Sequence, residues 1–302
     1  MIPALYADVL WGSSDRDSVT PIVLKLRTSS LSAIVLSTLL CPLTVWAQTA
    51  PAAPKPKPPV WTLEASNDFT NPGPNQKNQN EIDVRLTKQA SLRSTVFFEF
   101  DQQNRWSDQD VSFAIGGGHA FGGPKRLLLT SGSVAVSPNG DNIPLREYQV
   151  SGEYRFNARI NPVAVFERQA FVKSVEVNQV TAGVKITPFE HTKTWFQPVY
   201  VHSWAFLRPG VTENGNAFGF DGAIEATPRV SLTVKGGYGH VHILARQLTV
   251  VELVQTTNQL TFEPGVNLKL NSKRSVKVAY TLEHKTGKDP QHGFLVGATI
   301  HF

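Results

Sequence analysis

Apolar and polar residues alternate along this chain with a period of two, most cleanly over its last stretch. Leu260, Phe262, Val266, Leu268 and Leu270 interleave with Thr261, Glu263, Gly265, Asn267 and Lys269. Val276, Val278, Tyr280 and Leu282 interleave with Lys277, Ala279, Thr281 and Glu283. Upstream, Val180, Ala182, Val184 and Ile186 do the same, as do Phe218, Phe220 and Ile224, and Ile82, Val84 and Leu86 against Glu81, Asp83 and Arg85. Successive side chains on a strand point to opposite faces, so period two predicts strands with one apolar and one polar face.

Length separates the ways of burying such a face. Strands of soluble sandwiches run about 5 to 6 residues. These runs reach about 9 to 13, the reach of a tilted strand crossing a bilayer. Hydrocarbon offers backbone groups no partner, so a sheet crosses it only by closing on itself. Longer polar links near 70–80, 102–109, 137–144, 171–177, 207–216, 246–257 and 284–292 alternate with short ones. The short ones are Lys88–Ser91, Gly122–Lys125, Asn157–Asn161, Thr187–Thr192, Ala226–Arg229 and Asn271–Arg274. That alternation predicts an all-β, antiparallel, up-and-down transmembrane barrel of about 14 strands in a single domain, or 12 if a weak hairpin around 190–206 is miscounted. Trp61, Phe69, Trp106, Phe121, Phe156, Phe189, Trp195, Trp204, Phe206 and Phe294 fall near strand ends, where an interfacial aromatic belt is expected.

The N-terminal segment reads differently. Leu31 to Trp46 is apolar, Lys25 and Arg27 precede it, and Val45-Trp46-Ala47 offers a cleavage site before Gln48. Residues 1–47 therefore read as a secretory signal peptide, with the true translation start placed downstream of Met1. Residues 48–59 contain the run PAAPKPKPP and read as an extended periplasmic spacer. Residues 60–302 form the barrel, with both ends expected in the periplasm of a Gram-negative outer membrane. The one cysteine, Cys41, lies in the signal segment, and Leu39-Leu40 before it does not fit a lipidation site.

Charge changes the picture little. The net charge is +5, but several cations lie before Val60, and the signs are mixed along the strands that follow. Nucleic acid as a partner is not supported, since that calls for basic residues gathered on one face.

The chain ends on Phe302, with Phe294, Val296, Ala298 and Ile300 at every second position before it. This resembles the insertion signal of outer-membrane barrels, read by strand addition. The expected partners are accordingly periplasmic chaperones, the barrel-assembly machinery and outer-membrane lipid. Between Phe97 and Tyr154, the stretches Phe98-Glu99-Phe100, Arg105-Trp106 with Asp108, Gly116-Gly117-Gly118, Ser137-Pro138 and Ile143-Pro144-Leu145-Arg146 resemble the YaiO family of outer-membrane barrels. The resemblance covers about a fifth of the chain and implies surface residence without an established chemistry.

Continuing the register places Glu64, Asp83, Arg85, Glu99, Asp101, Glu153, Arg155, Lys185, Asp221, Glu225, Lys235, Glu263, Lys269, Lys277 and Glu283 towards the lumen. A selective pore lines its constriction with one sign of charge, whereas interleaved signs point to cross-strand pairs that narrow or fill it. The expectation is a narrow channel, or a surface structural or binding protein, without catalytic residues, cofactor or metal. The alternative is a barrel enzyme acting on lipid or envelope polymer, using His240 and His242, or Glu99, Asp101 and Arg105. His202 and Ser203 are neighbours on a strand and so face opposite ways. Gly-rich runs at 116–118 and 236–239 precede no helix and are not phosphate loops. A soluble secreted β-protein is the third reading.

Overall fold

The structure is a computed structural model. It describes residues 61–302, apart from 72–77, 106–107, 124–125, 139, 141–142, 158, 173–174, 189–192, 209 and 242–256. The side chains of Arg105, Asp108, Arg208, Val241 and Thr257 are also not described. The expected signal peptide and spacer lie outside the described residues.

The strands are β1 (Trp61–Asn71), β2 (Gln79–Ser91), β3 (Ser94–Arg105), β4 (Asp108–Gly123), β5 (Arg126–Val136), β6 (Arg146–Arg155) and β7 (Ile160–Ala170). They continue as β8 (Glu176–Ile186), β9 (Trp195–Arg208), β10 (Val211–Thr227), β11 (Val230–Val241), β12 (Thr257–Asn271), β13 (Arg274–Lys285) and β14 (Gln291–His301). Each pairs antiparallel with its sequence neighbours, and β1 pairs with β14, which closes a 14-stranded barrel. At the seam Trp61 and Phe302 exchange backbone hydrogen bonds of 3.0 Å in both directions. Leu63 stands opposite Ile300, and Phe69 opposite Phe294. Closure leaves no strand edge unpaired, which is the condition for a sheet in hydrocarbon.

The two faces of the wall are inverted relative to a soluble sheet. Ile115, Val150, Phe218 and Ile224 point outward and are exposed, Phe218 to 70%. Glu64, Ser66, Gln103, Ser203 and Thr299 point inward and are almost fully buried. An apolar surface that encircles the molecule is far larger than a soluble monomer leaves in water, and a bilayer is the solvent that covers it. In hydrocarbon each such Leu, Val or Phe contributes about 1.5–3 kcal/mol. Inside, Phe97 lies flat against Gly116 on the neighbouring strand, where any Cβ would collide with the ring and with the Gly132 carbonyl.

The chain ends mark one end of the barrel, here called the terminal end; the other is the loop end. Tight turns at the terminal end are fixed by side chains bonding to the backbone just ahead. Ser91 accepts from the Arg93 amide, Asn157 from Arg159 and Ile160, Thr227 from Arg229 and Val230, and Asn271 from Lys273. These are the local bonds that make Asn, Ser and Thr turn residues.

The short link expected at Lys88–Ser91 falls instead at residues 92–93, because β2 runs on to Ser91, and link lengths depart clearly from the sequence expectation at three further places. The links expected near 102–109 and 207–216 shrink to 106–107 and 209–210, because β3 runs on to Arg105 and β10 begins at Val211. Their outward residues there, Gln102 and Asn104, then Thr212 and Asn214, are polar yet remain in backbone register. Pairing continues beyond the apolar band, so polarity marks the edge of the hydrocarbon and not the end of the strand. At the terminal end, the link expected at Thr187–Thr192 extends to residue 194, where β9 has yet to begin.

Candidate functional site: the barrel interior

Strand register decides what the interior presents. Glu64 on β1 faces Arg85 on β2, which faces Glu99 on β3. The Arg85 guanidinium reaches Glu64 at 4.0 Å and Glu99 at 3.6 Å, and it also lies 3.7 Å from the centre of the Phe97 ring. Asp221, Lys235 and Glu263 form a second row across β10, β11 and β12, and the Lys277 ammonium donates to Glu263 at 2.8 Å. Arg155 pairs with Glu153 at 2.5 Å. Lys185 sits 4.7 Å from the ring centre of Trp195, so that tryptophan faces inward and is not part of an interfacial belt. Lys269 and Glu225 lie on the same inner face near the terminal end. Lys285 bonds Glu283 at 2.6 Å near the loop end, both nearly buried.

The inner face also carries carboxylates that the sequence reading did not select. Asp68 on β1, Glu81 on β2, Asp110 on β4, Glu147 on β6, Glu167 on β7 and Glu213 on β10 all take inward positions in the register. Every one lies in the loop-end part of its strand. Together with Asp83, Asp101 and Glu283 they make that half of the lumen strongly acidic. Among the described inner-face side chains of that half, Lys285 is the basic one. From the middle to the terminal end the signs balance: Arg85, Arg155, Lys185, Lys235, Lys269 and Lys277 stand against Glu64, Glu99, Glu153, Asp221, Glu225 and Glu263. The expected near-equality of signs thus describes one half of the lumen and not the other. Continuing the period-two register by one or two steps towards the loop end reaches Asp68 on β1 and Glu81 on β2.

The lumen wall is uneven around its circumference as well. Ala114, Gly116 and Gly118 on β4 face Ser131, Ser133 and Ala135 on β5, and Ser203, Gly215, Ala217 and Gly219 line β9 and β10.

Of the alternative catalytic groups, Glu99 and Asp101 share one face of β3. His240 is exposed on the outer face of β11, in register with Asn216 and Asn258, while Glu99 and Asp101 lie on the inner face. His242 and the Arg105 side chain lie outside the described residues. His202 bonds Asn216 outside the wall at 2.8 Å, whereas Ser203 is fully buried inside it. Outside, the aromatic belt is present at both ends: Tyr280 packs edge-on to Phe294 near the loop end, and Tyr154 stacks with Phe156 near the terminal end. The terminal alternation of Phe294, Val296, Ala298 and Ile300 faces outward along the seam with β1. The stretches read as resembling the YaiO family fall on β3, β4, the 137–145 link and the start of β6, with Trp106 outside the described residues. Ser137 Oγ donates to the Val111 carbonyl at 2.6 Å and Ile143 is buried.

No protein-family model matches this chain, and no curated protein matches it. Among solved structures it is similar to a bacterial polysaccharide outer-membrane secretin, with a TM-score of 0.51 at 8% identity over 82% of this chain and 100% of that one. Omp33 of Acinetobacter baumannii gives 0.49 at 9% identity, over 81% of this chain and 99% of that one. The anion-selective porin of Comamonas acidovorans gives 0.44 at 7%, over 80% and 98%. At these identities the likeness to the secretin is one of fold: the chain has the fold of an outer-membrane β-barrel.

Proposed function

We propose that this chain is a non-enzymatic outer-membrane barrel that provides a narrow, cation-preferring passage. Both chain ends lie in the periplasm, and the loop end opens outward. The observation that carries this reading is the axial charge asymmetry of the lumen. Carboxylates crowded at one mouth between low-dielectric walls attract cations and repel anions, and the paired charges below them narrow the path without adding a net sign. The small residues on β4, β5, β9 and β10 leave room for a solute. The YaiO-like motifs favour the same non-catalytic reading. The outward stripe from Phe294 to Phe302 is the segment we assign to recognition by chaperones and assembly machinery before β1 closes on it.

The test is the reversal potential of single channels under a potassium chloride gradient, using protein purified from outer membranes. A potential on the cation side supports the reading. Anion preference, or a folded barrel that never conducts, overturns it.

A further inference from the structure

We propose that the loop-end lumen holds a divalent-cation site formed by Glu81, Asp83, Asp101 and Gln103, with calcium the preferred ion. Asp83 and Asp101 are direct register partners on β2 and β3, and Glu81 lies two residues further along the same inner face. One carboxylate oxygen from each comes within 4.8 Å of the others. Carboxylates directly opposite on a sheet repel. A bridging dication turns that repulsion into attraction.

Acidic crowding alone does not define a site, and the second observation is Gln103. It is the register partner of Glu81 and only 1% exposed. Its amide donates from Nε2 to Asp101 Oδ2 at 3.1 Å, which places the amide group at the cluster. Its carbonyl oxygen, Oε1, is buried and accepts no hydrogen bond among the described residues. Burying an amide carbonyl without a donor is unfavourable, and a cation is a partner that removes this cost. Carboxylates together with a side-chain carbonyl are the hard-oxygen donors that calcium and magnesium take. Calcium binds oxygens at about 2.3–2.6 Å in flexible geometry, so ligands on opposite sides of it stand up to about 5 Å apart. Three carboxylates and a carbonyl supplied by the protein alone suit calcium's flexible shell, whereas magnesium usually keeps several of its waters. The neighbouring cation, Arg85, lies one inner-face step towards the terminal end and is engaged with Glu64 and Glu99.

This inference goes beyond the channel reading and does not depend on it, because binding can be read without conductance. Detergent-solubilised full-length barrel, freed of metal by chelation, is titrated with calcium chloride and then with magnesium chloride in a calorimeter. The expected result is one saturable calcium site and weaker magnesium binding. Asp83→Asn with Asp101→Asn should weaken calcium about ten-fold or more, as loss of ligand charge does, and Gln103→Leu should weaken it less. Glu167→Gln, in the same acidic half but outside the cluster, should leave it unchanged. The shift in gel mobility on boiling confirms that each variant is folded. Absence of a saturable site overturns the proposal, as does an equal loss in Glu167→Gln, which would show diffuse attraction in place of a site. A silent barrel that still binds calcium would overturn the channel reading alone.

Discussion

The two halves of the lumen are built from the same residue types and behave as different materials. Towards the terminal end, charges of both signs sit across from one another in register, as in Glu64, Arg85 and Glu99, so that each buried carboxylate has a cation within reach. Towards the loop end, Asp68, Glu81, Asp83, Asp101, Asp110, Glu147 and Glu167 gather with few cations among them. The first arrangement holds strands together. The second spends stability on an electric field. A barrel needs rigidity where it is narrow, and it can select by charge only where charge is left uncancelled.

Breaking the balanced half should have the largest effect. Arg85→Met keeps much of the length of the aliphatic stem but removes the cation that stands over Phe97 and that Glu64 and Glu99 share. Taking one partner from a buried ionic network costs about 3–5 kcal/mol. Glu64 is fully buried and Arg85 only partly so, which puts the expected loss near the lower bound, about 3 kcal/mol. The measurement is the urea midpoint for unfolding in detergent or lipid. An unchanged midpoint would mean that the paired half is not what stabilises the wall.

Neutralising the acidic half should do the opposite. Asp110→Asn, Glu147→Gln and Glu167→Gln combined remove three charges from β4, β6 and β7 and relieve repulsion between like groups. Stability should hold or rise slightly, within about 1 kcal/mol, since Glu147 and Glu167 are diagonal neighbours of like charge on β6 and β7. The cation preference read from reversal potentials should fall. If stability dropped as far as in Arg85→Met, the two halves would not differ in the way proposed.

How much of this was written in the sequence follows from where the alternation is clean. On β12, β13 and β14 every outward position through the hydrocarbon is apolar, so strand, face and inward residue could be read together, and Glu263, Lys277 and Glu283 followed. At the loop end the outward residues turn polar as well. Gln102 and Asn104 on β3, or Thr212 and Asn214 on β10, then look like loop although they pair as strand. Once the outward face stops being apolar, the period-two signal vanishes, and the inward acids at that level vanish with it. Asp110, Glu147 and Glu213 sit within the first three residues of their strands and were lost this way. Trp195 failed for a different reason: a tryptophan near a strand end fits an interfacial belt equally well on either face, and only the register with Ala223 shows that it points inward.

The smallest effect expected is also the one that isolates what the lumen contributes. Arg168 on β7 and Glu176 on β8 form a 2.7 Å ion pair, geometrically better than the contact of Arg85 with Glu64, but on the outer face of the loop end. Their side chains are 49% and 39% exposed. Water there screens the attraction and hydrates either partner when the other is gone. A double-mutant cycle with Arg168→Ala and Glu176→Ala should therefore give a coupling of about 0.2–1 kcal/mol. The same cycle on Lys277 and Glu263, which meet at 2.8 Å inside the wall with Lys277 nearly buried, should give a clearly larger value. Equal couplings would mean that the lumen is as wet as the surface at that depth. In that case the balanced half does not narrow the passage, and the acidic mouth alone would have to account for any selectivity.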